Sequence, residues 1–282
     1  ANFGLKSRVC DLLFFENYDD ATKPLHLVFL TESVHSMKIT HVRTIVIDAH
    51  RTNWVLVKIE TDAGISGIGE ATVERREQAV VQTVEAIANY LVGKDPFPVE
   101  HHARTITRDS YWRTGVINRS ALSGIEAALW DIKGKALGVP VYELLGGKSR
   151  DRVAVYGNNW SPAQGIQGAS CFIEALQKPL DLGFKALKWG PFGKTWLQMA
   201  KVEKNAAIDE IAAARRHAGC DIDLMIEGHG RLDLPTAIEV GNRMAEFDPL
   251  FFEEPTPPDN LNVLAEVKAR SSVPIAGGER YM

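Results

Sequence analysis

The sequence has few cysteines, no long apolar run and no excess of charge of one sign. Its three cysteines, Cys10, Cys171 and Cys220, are scattered and form no C-x-x-C pair. This spacing argues against a disulfide framework or a zinc site and suits a reducing compartment. No apolar run approaches the roughly 20 residues that a membrane helix needs. A net charge of −4 gives no electrostatic footprint for nucleic acid. We therefore expect a cytoplasmic protein that binds neither membranes nor nucleic acid.

Three short apolar runs near the end of the chain each lead to a carboxylate. The acids are Glu227, Glu253 and Glu279, and both intervals between them are 26 residues long. A parallel strand, a helix and two short loops fill about that length, so three βα units would bring the acids to one end of one sheet. Carboxylates that converge in a partly buried place repel one another unless a cation holds them. Oxygen ligands without cysteine favour a hard cation such as Mg²⁺ over Zn²⁺.

Hydrophobic periodicity divides the chain into three parts. Residues 1–36 show poor periodicity and are predicted to be an extension outside the core fold, with an additional ordered element as the alternative. Residues 37–150 are predicted to form a compact α+β unit, with three antiparallel strands followed by helices, one of them capped by Ser120. In residues 151–282 strands and helices alternate, which indicates a parallel sheet. We expect five strands and four helices there, beginning with a strand at Val153–Tyr156.

The alternating part favours an incomplete (β/α)₈ barrel over an open, doubly wound sheet. No glycine-rich phosphate loop follows the first predicted strand, as it would in many open sheets. A closed barrel needs eight strands, so we expect three further βα units beyond Met282. If the chain stopped there, we would expect it to be incomplete and inactive.

Four stretches resemble the enolase superfamily, and within it the mandelate racemase / muconate lactonizing enzyme group. They are Gly124–Ala136, Leu144–Gly147, Phe252–Pro255 and Pro274–Glu279, and the resemblance covers residues 37–282. It implies that residues 37–150 cap the barrel mouth and that the protein is a homo-oligomer. It also implies that one Mg²⁺ per chain is bound by Glu227, Glu253 and Glu279.

Two further positions narrow the resemblance. His229 lies two residues after Glu227 and precedes Gly-Arg, which is similar to sugar-acid dehydratases of the galactonate dehydratase type. In those enzymes this histidine is the general acid on the leaving hydroxyl, although they usually have Asp where this chain has Glu227. Racemases and lactonizing enzymes of the group carry Lys-x-Lys on the second strand, whereas here Gly190 replaces the second lysine. Lys188 is predicted to steer the substrate carboxylate or the metal ligands. The alternative for His229 is a hydrogen-bonded loop histidine, and the alternative for Lys188 is a solvated lysine at a strand end.

Other polar and aromatic residues give weaker predictions. Asn158, Arg231 and His50 are candidate substrate contacts, and for Asn158 and His50 a solvated loop residue is the alternative. The adjacent His101 and His102 resemble a metal pair, but adjacent side chains diverge on a helix or strand, so we predict surface residues. Core positions are predicted for two of the tryptophans, Trp54 and Trp130.

The resemblance implies a reaction that starts with removal of the proton alpha to a carboxylate. Elimination of water from an aldonic or aldaric acid would follow, giving a 2-keto-3-deoxy acid, and the small-molecule partner would be that sugar acid. The general base is expected on a later strand, beyond Met282. A racemase or cycloisomerase that shares the first step is an alternative. So is a non-catalytic metal-binding or structural member, or an inactive fragment.

Overall fold

A computed structural model describes residues 37–50, 52–161 and 169–281 of the chain. The extension predicted for residues 1–36 lies outside these residues. From Lys38 onward the described residues belong to one compact unit. None of the helices in this part of the chain is long and apolar enough to cross a membrane.

The N-terminal part begins with an antiparallel sheet in the order β1-β2-β3, which confirms the predicted meander. Along β2, Val55, Val57 and Ile59 are fully buried while the residues between them are not, as a period of two requires. Trp54 is half exposed, so its predicted core position is wrong. It lies on the other face from Val55, because successive side chains of a strand point to opposite sides. The strands are β1 (Ile39–Asp48), β2 (Asn53–Thr61) and β3 (Ser66–Glu70).

Four helices follow this sheet. The third ends at Gly138, which has a φ of 69°, as the sequence predicts. Its start differs from the prediction, because the helix begins directly after Gly115, where a φ of 102° breaks the helical path. Ser120 therefore lies inside the helix and does not cap it. The helices are α1 (Glu77–Leu91), α2 (Val99–Asp109), α3 (Val116–Leu137) and α4 (Val141–Leu144).

Helix α3 lies directly on the glycine-rich strand β3. A Cβ atom at Gly67 or Gly69 would collide with backbone carbonyl groups of α3, so only glycine permits this approach. The Asp131 carboxylate on α3 accepts a 2.9 Å hydrogen bond from the backbone N–H of Ile68. The Lys135 ammonium bonds both this carboxylate and a β3 carbonyl. Strand β3 is thus fixed on the helix.

Helix α2 was not predicted, and its buried face explains why. His102 is only 3% exposed, so the predicted surface position of this residue is wrong, whereas His101 is exposed. The His102 Nε2–H donates to the carbonyl of Asp95 at 2.7 Å, which leaves Nδ1 to accept from the Tyr90 hydroxyl at 3.1 Å. Polar residues therefore occupy positions where a periodicity argument looks for apolar ones. The buried residues of α2 are Val99, His102 and Thr105.

The C-terminal part is a parallel sheet in the order β4-β5-β6-β7, with helices between its strands. This is the predicted partial (β/α) barrel. The helices are α5 (Ala169–Asp181), α6 (Lys201–Ala218), α7 (Leu234–Met244), a 3₁₀ turn (Ala245–Phe247) and α8 (Leu261–Arg270). The strands are β4 (Ala186–Trp189), β5 (Asp223–Glu227), β6 (Phe251–Glu253) and β7 (Ile275–Ala276).

The strand predicted at Val153–Tyr156 is not formed. Only Gly157 pairs with its neighbour, through a single parallel bridge to Leu187 on β4. Val153 and Val155 are 72% and 68% exposed, so no described residue buries these apolar side chains. The prediction was wrong because an apolar run becomes a strand only where a neighbouring backbone completes its hydrogen bonds.

The barrel core explains the apolar runs that the sequence displays. Leu224 and Ile226 on β5 and Phe252 on β6 are fully buried, because helices and neighbouring strands cover them. Each such side chain contributes about 1.5–3 kcal/mol by leaving water. The core therefore holds the carboxyl ends of β5 and β6 in a fixed register.

Candidate active site

The register of the parallel sheet places two of the predicted acids side by side. Glu227 at the end of β5 and Glu253 at the end of β6 are directly paired positions. The ladder continues one step further, where the N–H of Gly228 donates to the carbonyl of Glu253 at 2.7 Å. Because in-register neighbours in a sheet project to the same face, both carboxylates meet on one side.

A lysine from the adjacent strand bridges these two carboxylates. The Nζ atom of Lys188 on β4 lies 3.1 Å from Glu227 Oε2 and 2.6 Å from Glu253 Oε2. The three side chains are only 8%, 5% and 16% exposed. One buried ammonium group is therefore shared by the buried carboxylate of Glu227 and the partly buried carboxylate of Glu253. The alternative of a solvated lysine at a strand end does not describe this side chain.

Burial and hydrogen bonding oppose each other within this cluster. Burial alone would lower the pKa of Lys188, but its bonds to Glu253 and Glu227 outweigh that effect and raise the pKa. Burial raises the pKa of Glu227 to about 7, against the bonds from the His229 backbone and Lys188 that lower it. The short contact to Glu253 is that of a charge-assisted bond, so we treat Lys188 as charged at neutral pH.

The third predicted acid stands apart from the pair. Glu279 follows β7, is exposed and lines the same cavity as Glu227. Within residues 37–50, 52–161 and 169–281, no group of three or more His, Cys, Asp or Glu residues is arranged to hold a metal ion. The donor chemistry nevertheless fits a hard cation, which prefers carboxylate oxygens, because Lys188 sets only one positive charge against the two carboxylates of Glu227 and Glu253. The metal role of the three acids stays a prediction.

His229 reaches the cavity by a turn and not by continuation of the strand. Strand β5 ends at Glu227, and His229 has a φ of 49°, which few residues other than glycine adopt. Its backbone N–H donates to Glu227 Oε1 at 2.8 Å. Its side chain lines the cavity. Burial lowers the pKa of His229 because it disfavours the charged imidazolium. The positive charges of Arg231, Lys188 and Arg280 lower it further.

Gly190 leaves room for this histidine. A Cβ atom there would lie 3.0 Å from the carbonyl oxygen of Glu227 and 3.6 Å from His229 Nδ1. A long side chain at this position would compete with His229 for the same space. The replacement of the second lysine by glycine therefore agrees with a site built around the histidine.

The cavity has a volume of about 1090 Å³ and is lined by both parts of the chain. Asn158 and Arg231 line it, as predicted for substrate contacts. His50 lies in the turn between β1 and β2, where its N–H bonds the Asp48 side chain, and it is not among the lining residues. Its substrate contact stays a prediction without structural support. The other lining residues that had been predicted are Lys188, Glu227, His229 and Glu279.

Several lining residues were not predicted. Glu74 follows β3, and Lys194 lies in the loop after β4. Neither carries a local signal in the sequence, because only the packing of the two parts brings their loops together. Arg280 carries no local signal either, because it pairs with Glu254, which lies 26 positions earlier in the chain.

Both parts of the chain match models of known protein families. Residues 27–146 match the mandelate racemase / muconate lactonizing enzyme N-terminal domain, and residues 172–282 match the enolase C-terminal domain-like family. The chain belongs to the enolase superfamily, in the mandelate racemase / muconate lactonizing enzyme group. The sequence resemblance is thereby confirmed.

Individual relatives of this group include D-galactonate dehydratases. One from Xanthomonas oryzae pv. oryzae is 39% identical over 227 residues, which are 80% of this chain and 58% of that protein. The chain thus spans less than two thirds of this relative's length. A member of the enolase superfamily from Salmonella Typhimurium has a TM-score of 0.81 at 30% identity, covering 86% of this chain and 68% of that one. An enolase from Pantoea ananatis, with bound D-gluconate and Mg, has a TM-score of 0.77 at 29% identity, covering 87% and 66%.

Proposed function

We propose that the protein is a Mg²⁺-dependent hydro-lyase that dehydrates an aldonic or aldaric sugar acid to a 2-keto-3-deoxy acid. The observation that carries this proposal is His229, which is bonded through its backbone to Glu227 beside the carboxylate pair. The D-galactonate dehydratase relatives and the gluconate-bound neighbour support the substrate class.

Three acids of this chain would hold one Mg²⁺: Glu227, Glu253 and Glu279. When bound, the ion would lower the free energy of the negative charge that develops on the substrate carboxylate as the alpha proton leaves. Lys188 keeps a positive charge against Glu227 and Glu253, so that neither carboxylate is buried alone. Its second proposed role is to steer the substrate carboxylate.

The elimination needs a base and an acid. The base removes the proton alpha to the carboxylate, and we expect it on a later strand of the barrel. His229 donates a proton to the β-hydroxyl as the carbon–oxygen bond breaks, so the group leaves as water. The enol that remains then tautomerises to the 2-keto acid. Asn158 and Arg231 line the cavity and are proposed to bind the substrate's hydroxyl and carboxylate groups.

We also propose, from the family membership, the roles of the two parts of the chain and the oligomeric state. Residues 37–150 would cap the cavity and residues 151–282 would supply the sheet, with one Mg²⁺ per chain in a homo-oligomer. The loop residues Thr72, Val73 and Glu74 support the capping role, because they line the same cavity as Lys188 and Glu227 from the strand ends.

A substrate screen tests the proposed reaction. The full-length protein is incubated with Mg²⁺ and a library of aldonic and aldaric acids, and 2-keto acid is detected as its semicarbazone. We expect product from at least one sugar acid, and none when a chelator removes Mg²⁺. Epimerised acid without any 2-keto product would instead show a racemase, and no turnover of any acid would contradict the proposal.

A further inference from the structure

A further acid beside the candidate site, Glu254, has no role in the proposed chemistry. Glu254 is only 1% exposed. Both its carboxylate oxygens accept hydrogen bonds from Arg280: Nε lies 2.9 Å from Oε1 and 2.8 Å from Oε2, and a terminal guanidinium nitrogen lies 2.6 Å from Oε2. A buried carboxylate is costly unless it is paired in this way. One arginine therefore satisfies the whole carboxylate.

The backbone of Glu254 joins three strand ends. Its N–H donates to the carbonyl of Ala276 on β7 at 2.9 Å, and its carbonyl accepts from the N–H of Gly230, beyond β5, at 2.7 Å. Its φ of 41° lies in the left-handed region that glutamate rarely adopts. Such a conformation persists only where the surroundings hold it. Glu254 is thus fixed by its main chain as well as by its side chain.

The loop that carries His229 packs on this ion pair without free space. A Cβ atom at Gly228 would lie 2.6 Å from the carbonyl oxygen of Glu254. A Cβ atom at Gly230 would overlap the guanidinium group of Arg280. Both residues that flank His229 must therefore be glycine for the loop to lie against the pair.

Each part of this contact is next in sequence to a residue of the proposed site. Glu254 follows Glu253, Arg280 follows Glu279, and the two glycines flank His229. We infer that Glu254 and Arg280 are positioning residues whose ion pair fixes Glu253, Glu279 and His229 relative to one another. The inference rests on the proposed function, because that function assigns Glu253 and Glu279 as metal ligands.

An arginine at the opposite end of the strands provides a matched control. Arg215 on α6 donates to four backbone carbonyls that precede β5 and β6, at distances of 2.7–2.9 Å. It also fixes loops to the barrel, but it does not line the cavity. Its acceptors are the carbonyls of Gly219, Ile222, Phe247 and Asp248.

The test compares Arg280→Lys with Arg215→Lys in the full-length protein. Lysine keeps the charge but cannot reproduce the forked, bidentate contact of arginine. We expect both variants to lower the melting temperature. Only Arg280→Lys should weaken Mg²⁺ affinity in calorimetry, by about 10–100-fold, which is the usual effect of losing a residue that orients metal ligands. The kcat for dehydration should fall with it.

A second substitution guards against a folding defect in the first. Glu254→Asp keeps the charge and shortens the arm by one methylene, so we expect a smaller loss of Mg²⁺ affinity than for Arg280→Lys. Wild-type Mg²⁺ affinity in both Arg280→Lys and Glu254→Asp would overturn the inference and leave the pair a purely stabilising one. No Mg²⁺ binding by the unmodified protein would overturn the proposed function itself.

Discussion

Two glutamates in this molecule each pair with a lysine, but their pKa values shift in opposite directions. Glu60 on β2 lies 2.9 Å from Lys58 and 3.2 Å from Arg43, and its side chain is 26% exposed. Hydrogen bonding by Lys58 lowers the pKa of Glu60 more than burial raises it. Glu227 lies 3.1 Å from Lys188 and is 5% exposed, and burial raises its pKa to about 7. The depth of the pair therefore decides the direction of the shift.

This difference separates a surface ion pair from a candidate site. Exposed pairs contribute little to stability, because water solvates both partners almost as well when they are apart. The buried cluster of Lys188, Glu227 and Glu253 costs desolvation energy that its attractions must offset. Strongly perturbed groups in a cleft are typical of functional sites. The barrel end, and not the N-terminal sheet, therefore holds the candidate site.

The largest expected effect concerns His229 beside the buried cluster. His229→Asn should reduce dehydration by about 10²–10⁴-fold, the usual range for loss of a general acid. Exchange of the substrate's alpha proton with deuterated solvent should continue, provided that the base itself exchanges with solvent. Product formation and mass spectrometry of recovered substrate measure the two processes.

His217 supplies the control for this experiment. It is an exposed histidine on α6 that contacts Gln177, so His217→Asn should leave both processes unchanged. Equal activity of His229→Asn and the unmodified protein would remove the main support for a dehydratase. Loss of exchange together with dehydration, with Mg²⁺ binding intact, would make His229 a base or a positioning residue.

The next effect concerns Lys188 and compares its buried ion-pair cluster with the surface cluster of Lys58 and Glu60. Without metal, Lys188→Met should lower the free energy of unfolding by about 3 kcal/mol, since it leaves the buried Glu227 and the partly buried Glu253 without a cation. Uptake of a proton by Glu227 keeps the loss at the low end of the usual range. Urea denaturation measures it. Lys58→Met beside the partly exposed Glu60 should cause no measurable change, and equal stabilities of the two variants would erase the distinction between the two ion-pair clusters.

The smallest effect separates steric crowding from backbone strain. Gly64→Ala and Gly230→Ala both place alanine at a positive φ, 75° and 61°, which costs about 1 kcal/mol. Space surrounds Gly64, whereas Arg280 and Pro257 crowd Gly230. We therefore expect Gly230→Ala to lose roughly 1–3 kcal/mol more stability in thermal or chemical unfolding. Similar losses in the two variants would show that the loop around His229 has room to adjust.

Much of the fold could be predicted from the sequence because its signals are local. The alternation in β2 and the apolar runs that end at Glu227 and Glu253 reflect burial patterns that a strand imposes on its own residues. Helix α2 was not predicted, because the polar residues His102 and Thr105 occupy buried positions where apolar residues are expected. The strand at Val153–Tyr156 was predicted wrongly because a run of apolar residues does not reveal whether a neighbour pairs with it.

The site was predictable residue by residue but not as an arrangement. Spacing and resemblance singled out Glu227, His229 and Lys188, yet the bridge that Lys188 makes depends on the register of β4, β5 and β6. The pairing of Glu254 with Arg280 joins residues 26 positions apart and has no local signature. Side chains that meet only through tertiary packing leave little trace in their own neighbourhood.

The most direct test of the account is calorimetric titration of the full-length protein with Mg²⁺, comparing Glu253→Gln with Glu60→Gln. Each substitution keeps the shape of the side chain and removes one negative charge. We predict one Mg²⁺ per chain for the unmodified protein and for Glu60→Gln, with a sharp loss of affinity in Glu253→Gln. Unchanged Mg²⁺ binding by Glu253→Gln would contradict it, because the carboxylates at the strand ends would then not be the metal ligands.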